Sequence, residues 1–389
     1  MSMFENTEIA FRTKSNSELN NAKRIFTMVA NPWLVKTGKI LLMIALKLHI
    51  PIKWAVKPTV FKQFCGGESM EECDKTINEL SLWGVKSILD YSAEGLETEE
   101  SFEDTFRKII SIIDKAKTSS AIPYAVFKPT GIARFALLQK INEGKTLSDQ
   151  EKEEFKRVQY RFSKLCEHAA SKDVPLMIDA EESWIQDAVD ELVEKEMAKY
   201  NKNKPLIYNT VQLYRKDRLK YLMDYSEKAW KNKIYPGFKL VRGAYLEKER
   251  ERAAKFDYPS PVHDTKDNTD NDFNMAVKFC LDNANKMASC VGTHNEDSVN
   301  FAVLYMKDEG ILPGHENIWF SQLLGMSDNI SFNLAERGFN VCKYVPYGPV
   351  RLVMPYLVRR AEENTSVAGQ TSKELQMIKT ELRRRKQLK

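Results

Sequence analysis

The chain predicts an α/β fold, a (β/α)8 barrel with a helical N-terminal extension, and three observations carry the prediction. About eight short apolar runs recur along the sequence, each continuous instead of alternating, which marks strands buried on both faces. Helix-like segments long enough for crossovers separate them. No GxGxxG string occurs, the fingerprint with which an open doubly wound sheet usually advertises its nucleotide.

The elements follow in order. Residues up to about Phe64 read as helical, with breaks at Pro32, Pro51 and Pro58. Within them ILLMIAL, Ile40 to Leu46, is the strongest apolar run, flanked by Lys36, Lys39, Lys47 and Lys53. It is shorter than the roughly 20 residues of a membrane span. It reads as a buried helix, with a basic amphipathic helix resting on a membrane surface as the alternative. The expected strands are Gly84–Tyr91, Ala121–Lys128, Val174–Glu182, Pro205–Gln212, Gly237–Tyr245, Met287–Asn295, Ile318–Met326 and Val341–Gly348. Two units run long. Arg134 to Lys172 holds two helices joined near EGKTLSD, and a charged helix runs from after Glu182 to about Lys199. The tail KELQMIKTELRRRKQLK reads as a basic, solvated helix, with contact to anionic lipid as the lesser reading. The resulting division is a helical extension over 1–64, a barrel over 65–370 and a basic tail over 371–389.

The bulk numbers exclude some classes. A chain of 389 residues, 43% hydrophobic and 29% charged, is that of a globular protein, and a net charge of +5 is too mild to call for nucleic acid. Six scattered cysteines without CxxC spacing fit a reducing compartment. Five histidines without an HxxxH pair give no expectation of a metal. The N-terminal residues lack the parts of a signal peptide.

Barrel enzymes work at the carboxyl ends of their strands. Those ends carry Asp90, Lys128, Asp179, Gln212, Arg242, His294, Gln322 and Tyr344. Packing does not explain such a ring, because buried charges are costly unless paired. In the last barrel helix, YLVRRAEEN places Tyr356 three and four positions before Arg359 and Arg360, and Glu363 four and three positions after them. Adjacent helical residues point about 100° apart, so the two guanidinium groups can hold one anion from two sides. Their planar forks suit a carboxylate or a phosphate; a surface ion-pair pattern is the alternative. Lys128 and Asp179 add one charge of each sign, a balance that suits a small amino acid. A Schiff-base role for Lys128 stays open. So does a non-enzymatic scaffold that binds lipid or nucleic acid through ILLMIAL and the RRRK tail.

The segments MIDAEES, KLVRGAYLEKER, GTHN, LLGM and YLVRRAEEN, in this order, closely resemble the proline dehydrogenase family over roughly Gly84 to Asn364. The N-terminal extension resembles that of the stand-alone enzymes. The resemblance implies a distorted, TIM-like barrel holding FAD without a Rossmann fold. It implies oxidation of L-proline to Δ1-pyrroline-5-carboxylate, with a membrane quinone as electron acceptor and peripheral membrane contact. By their matching positions, Arg359, Arg360 and Lys128 resemble the clamp for the proline carboxylate, and Tyr344, Tyr356 and Leu323 the walls around the ring; Leu323 equally reads as barrel core. Glu94 resembles the partner of Arg359 that closes the pocket, and Asp179 the acid that holds its hydrogen-bond network. Gln212, Arg242, Gly243, Ala244, Tyr245, Thr293, His294 and Glu363 match flavin-contacting or flavin-adjacent positions, and Lys239 stands where many bacterial relatives carry an arginine. Related hydroxyproline dehydrogenases resemble this chain but carry a smaller polar residue at Tyr344, so the tyrosine implies proline. The implied location is the cytoplasmic face of a bacterial inner membrane, or the matrix face of the mitochondrial one in a eukaryote.

Overall fold

The structure, a computed structural model, describes residues 3–48, 51–92, 97–366 and 370–388, with backbone alone at 32, 43–46, 362–366 and 370–372. Eight parallel strands close a barrel in chain order. They are β1 Val85–Tyr91, β2 Tyr124–Phe127, β3 Leu176–Ile178, β4 Ile207–Gln212, β5 Gly237–Val241, β6 Ala288–Gly292, β7 Ile318–Leu323 and β8 Val341–Tyr347. Each lies inside one of the expected apolar runs. Every residue of β2, β4 and β8 is buried, which is why these runs do not alternate. Gly237 pairs with Tyr208 across β4 and β5, and a Cβ there would meet the Tyr208 ring at 2.7 Å.

The chain forms two compact units, residues 96–321 and residues 1–95 with 322–389. The first holds β2 to β6, most of β7 and the expected long insertions. These are the helices Phe135–Asn142 and Asp149–Lys172, then Ser183–Tyr200. Asp149–Lys172 starts with a capping box, in which Ser148 Oγ accepts from the Glu151 N–H and the Glu151 carboxylate accepts from the Ser148 N–H.

In the second unit β1 pairs with β8 from Val85 against Val341 to Tyr91 against Tyr347. The helices Asn16–Val29, Val350–Ser366 and Gln370–Gln387 contribute to one apolar cluster with Phe61 and Phe64. Phe26 meets Phe64 edge to face at 6.3 Å. Pro51 separates two helices, and Pro32 opens the helix Pro32–Lys47, where its missing N–H costs nothing. Pro58 does not stop the chain. It sits in the first turn of a π-helical segment, Lys57–Phe61, that kinks at Thr59 and runs directly into Lys62–Phe64.

Two expectations are corrected in this unit. Among its described side chains the helix Pro32–Lys47 is only partly buried, and the side chains of Met43 to Leu46, part of the ILLMIAL run, lie outside the described residues. Val35 and Leu42 pack on the apolar cluster, but Trp33, Leu34, Ile40 and Leu41 are exposed. The basic tail is solvated on one side only: Lys373, Lys379, Arg383 and Lys386 are exposed, but its other side is packed. Leu375, Ile378 and Leu382, at the i, i+3, i+7 spacing of one helical face, pack against the same cluster, with Met377 beside them. Glu381 is fully buried beneath it. It accepts from Thr7 Oγ1 at 2.9 Å, from Arg384 at 2.9 Å and from Arg385 at 2.7 Å. Arg385 also donates to the carbonyls of Lys14 at 2.7 Å and Phe11 at 2.9 Å. Two of the arginines that read as a solvated run therefore tie the C-terminal helix to the N-terminal residues.

A buried charge cluster lies close by. Lys343, on β8, is fully buried; its Nζ is 2.8 Å from the Asp328 carboxylate and donates to the Met326 carbonyl at 2.7 Å. Asp328 is also 3.4 Å from Lys14 Nζ. Glu374 accepts from the Ser327 N–H, and burial, then the charge of Asp328, push its carboxyl up to about 7.

Candidate active site

In unit 96–321 the expected residues fall into three groups at the carboxyl ends of β2 to β6. Lys128, half-buried, directly follows β2 and precedes the short 3-10 turn Pro129–Gly131. Thr130 in that turn donates its N–H at 3.0 Å and its hydroxyl at 2.7 Å to Glu181, which follows β3 and is buried. The Glu181 carbonyl in turn accepts from Gln212 Nε2, at the end of β4, at 2.9 Å. Glu181 thus ties the turn beside Lys128 to Gln212. Burial, then the neighbouring Glu182, raise its carboxyl to about 7, against the pull of the two Thr130 bonds and the Lys128 charge. Glu181 was not among the expected site residues; its signal in the sequence is the acidic run in MIDAEES, which it shares with Asp179.

Asp179 and Lys239 form the second group. Asp179 follows β3, Lys239 lies buried on β5, and the two make an ion pair. The acid expected to hold a polar network and the cation expected near a flavin are therefore direct partners.

Arg242 centres the third group. Its guanidinium donates to Asp270 at 2.7 Å, to Thr293 at 2.7 Å and to Ser298 at 2.8 Å, and lies 4.3 Å over the Phe273 ring. Burial lowers its pKa and the Asp270 charge works the other way. Asp270 itself is pushed up by burial, but its hydrogen bond to Lys266 and the Arg242 charge hold it below the usual carboxylate range. The Asn295 N–H donates to Thr293 at 3.1 Å, while its side chain caps the helix Glu296–Asp308. Asp270 and Ser298 were missed because nothing local in sequence relates them to Arg242. Gly243 has a φ of +130°, and a Cβ there would come within 2.4 Å of the Tyr214 ring, so only glycine fits. Ala244 beyond it is exposed, and Tyr245 and His294 are half-buried.

In unit 1–95 with 322–389, Tyr344 lies buried on β8 and opposite Ile88 on β1. The helix Val350–Ser366 carries Tyr356 and Arg360, both buried, and Arg359, half-buried. The Arg360 guanidinium lies 5.2 Å over the Tyr356 ring. Leu323 packs on the apolar cluster to which Tyr356 belongs. Asp90 accepts from Ser92 at 2.6 Å and Gln322 from Ser331 at 2.8 Å, so these two strand-end groups are engaged within their own unit. Glu94 and the side chain of Glu363 lie outside the described residues.

A closed parallel barrel whose strands end in oriented charged and amide groups is the scaffold of a (β/α)8 enzyme. A family model described as proline dehydrogenase matches residues 73–373. The chain is 34% identical over 322 residues to a carbapenem antibiotics biosynthesis protein of Pectobacterium carotovorum subsp. carotovorum, covering 83% of each chain. It is 33% identical over 384 residues to proline dehydrogenase 1, mitochondrial, of Dictyostelium discoideum, covering 87% of this chain and 67% of that one. It is 30% identical over 412 residues to a hydroxyproline dehydrogenase of Xenopus laevis, covering 96% and 88%. Among solved structures it resembles proline utilization A of Bdellovibrio bacteriovorus, with a TM-score of 0.72 and 20% identity over 94% of this chain. That likeness shows the fold, and the chain spans 37% of that longer protein. The chain belongs to the proline dehydrogenase family, and the expected barrel and enzyme class are borne out.

Proposed function

We propose that the protein oxidises L-proline to Δ1-pyrroline-5-carboxylate with FAD, and that a membrane quinone takes the electrons. What carries the reading is the paired-arginine helix, with Arg360 buried on Tyr356, inside the span the family model matches. Arg359, Arg360 and Lys128 bind the carboxylate of proline through charge-assisted hydrogen bonds. Tyr344, Tyr356 and Leu323 pack its ring, and Glu94 pairs with Arg359.

The residues assigned to FAD fit such a group. Gln212 Oε1 is buried and accepts no hydrogen bond among the described residues, so a ring N–H of the cofactor would satisfy it. Arg242, locked by Asp270, Thr293 and Ser298, is a preorganised cation for a pyrophosphate. The bare backbone of Gly243 and Ala244 permits close approach. Lys239, Tyr245, Thr293, His294 and Glu363 complete the set, with Asp179 holding Lys239 in place. Bound FAD supplies the two-electron acceptor. The chain's own work is binding and orientation, and no side-chain nucleophile is required. The proposed location is the cytoplasmic face of a bacterial inner membrane, or the matrix face of the mitochondrial one in a eukaryote.

The substrate is tested by comparing kcat/KM for L-proline and trans-4-hydroxy-L-proline on the FAD-loaded protein. Tyr344 fills the space that an added hydroxyl needs, so proline is expected to be favoured roughly ten- to two-hundredfold, the range of a steric pocket. A preference for hydroxyproline reassigns the substrate. A borohydride-trapped adduct on Lys128 replaces the mechanism with Schiff-base chemistry.

A further inference from the structure

We infer that the helix Pro32–Lys47, with Leu48 and Trp54 beyond it, is the surface by which the protein lies on an anionic lipid bilayer. Six large apolar side chains are exposed within this short stretch: Trp33 (69%), Leu34, Ile40, Leu41 (62%), Leu48 and Trp54 (79%). At the helical pitch Trp33, Leu41 and Leu48 share one side, with Leu34 and Ile40 beside them. Val35 and Leu42, seven residues apart, face the other way and pack on the cluster that holds Phe26 and Phe64. Ile52 and Val56 anchor the next segment to the same cluster. The helix is thus held by one flank while its opposite flank presents tryptophan and aliphatic side chains outward.

Charge selects the occupant. No Asp or Glu occurs between Glu18 and Glu68, whereas Lys36 and Lys47 border the apolar flank at the helical pitch and Lys53 adjoins Trp54. Lys36, Lys47 and Lys53 are exposed, and of these Lys53 is paired with Glu68 at 2.8 Å, so Lys36 and Lys47 carry the charge argument. An apolar face with tryptophans and a lysine border is the chemistry of a helix lying in the interface plane of an anionic membrane. A second copy of the chain fits it poorly, because a two-fold interface would set the lysines of one patch against the same lysines of the other. Among the described residues no helix is long and apolar enough to cross a membrane, so the contact is one of lying on the bilayer. The inference deepens the proposed quinone chemistry, since a lipid-soluble oxidant is met where the protein rests on lipid; binding itself does not depend on that chemistry.

The test is flotation of the full-length, FAD-loaded protein with vesicles of phosphatidylcholine, with and without phosphatidylglycerol. Brominated lipids quench tryptophans that enter the bilayer. The wild type is expected to float with the anionic vesicles, release with salt and show quenching. The pair Trp33→Ala with Trp54→Ala should lose the quenching and bind roughly tenfold more weakly. The pair Lys36→Gln with Lys47→Gln should bind roughly tenfold more weakly while keeping the apolar face. Both pairs should reduce a water-soluble dye with proline as the wild type does, which shows that they fold. Absence of flotation in a protein with full dye-linked activity overturns the inference. Binding that neither pair weakens overturns it too, as does a dimer that the tryptophan substitutions dissociate. Failure of the proposed function looks different: no dye reduction by proline, with flotation retained.

Discussion

Arg359→Met and Arg360→Met are each expected to lower kcat/KM for L-proline by roughly ten- to a hundredfold, mostly through KM. The magnitude follows from the loss of hydrogen bonds between charged groups, worth about 1.5–3 kcal/mol each. Arg360 is held against Tyr356 within its own helix, so its position is set before an anion arrives. Lysine is a poor substitute at either position, because a point charge cannot reproduce a planar, two-pronged contact. Arg359→Lys and Arg360→Lys should therefore recover only part of the loss. Steady-state kinetics on FAD-loaded variants reads the effect directly. Unchanged Michaelis constants would remove the clamp.

Lys343→Met should destabilise the protein by about 3–5 kcal/mol, the cost of stranding a buried charge by removing its partner. Lys343 is fully buried and contacts Asp328 directly, and Asp328 is buried as well. Burial pushes the Asp328 carboxyl up, but Lys343 and Lys14 together hold it below its ordinary value. Without Lys343, Asp328 keeps, among the described residues, only the longer contact to Lys14, in the neighbourhood of Glu374. The companion Lys343→Met with Asp328→Leu removes both charges and should recover part of the loss, since an apolar pair of similar volume carries no stranded ion. Urea unfolding of the two variants and the wild type measures both effects. A single variant as stable as the wild type would show that the cluster is not a structural anchor.

The barrel was readable because a strand buried on both faces leaves a continuous apolar mark. AIPYAVFK and PLIYNTVQ each contain their strand whole, Tyr124–Phe127 and Ile207–Gln212. The polar residues at several of these ends were readable for the same reason: Lys128, Asp179 and Arg242 all stand directly after a strand, whereas Tyr344, also expected at an end, lies three residues before the end of β8. Pairing across strands was not readable. Asp179 and Lys239 are 60 residues apart, and neither the Arg242 network nor the Glu181 bridge has a local signature. The two corrections have a common cause. Apolar content shows that ILLMIAL can be buried but not which flank meets the core, and RRRK shows charge but not that Glu381 lies beneath it. Its other partner, Thr7, is 374 residues away.

The most direct measurement is the flavin spectrum of the purified, FAD-loaded protein under anaerobic titration with L-proline. Loss of the oxidised flavin absorbance, reaching completion in the wild type and needing far more proline in Arg359→Met and Arg360→Met, is the predicted result. A bound flavin whose spectrum L-proline leaves unchanged, or bleaching at the same proline concentration in all three proteins, would contradict it.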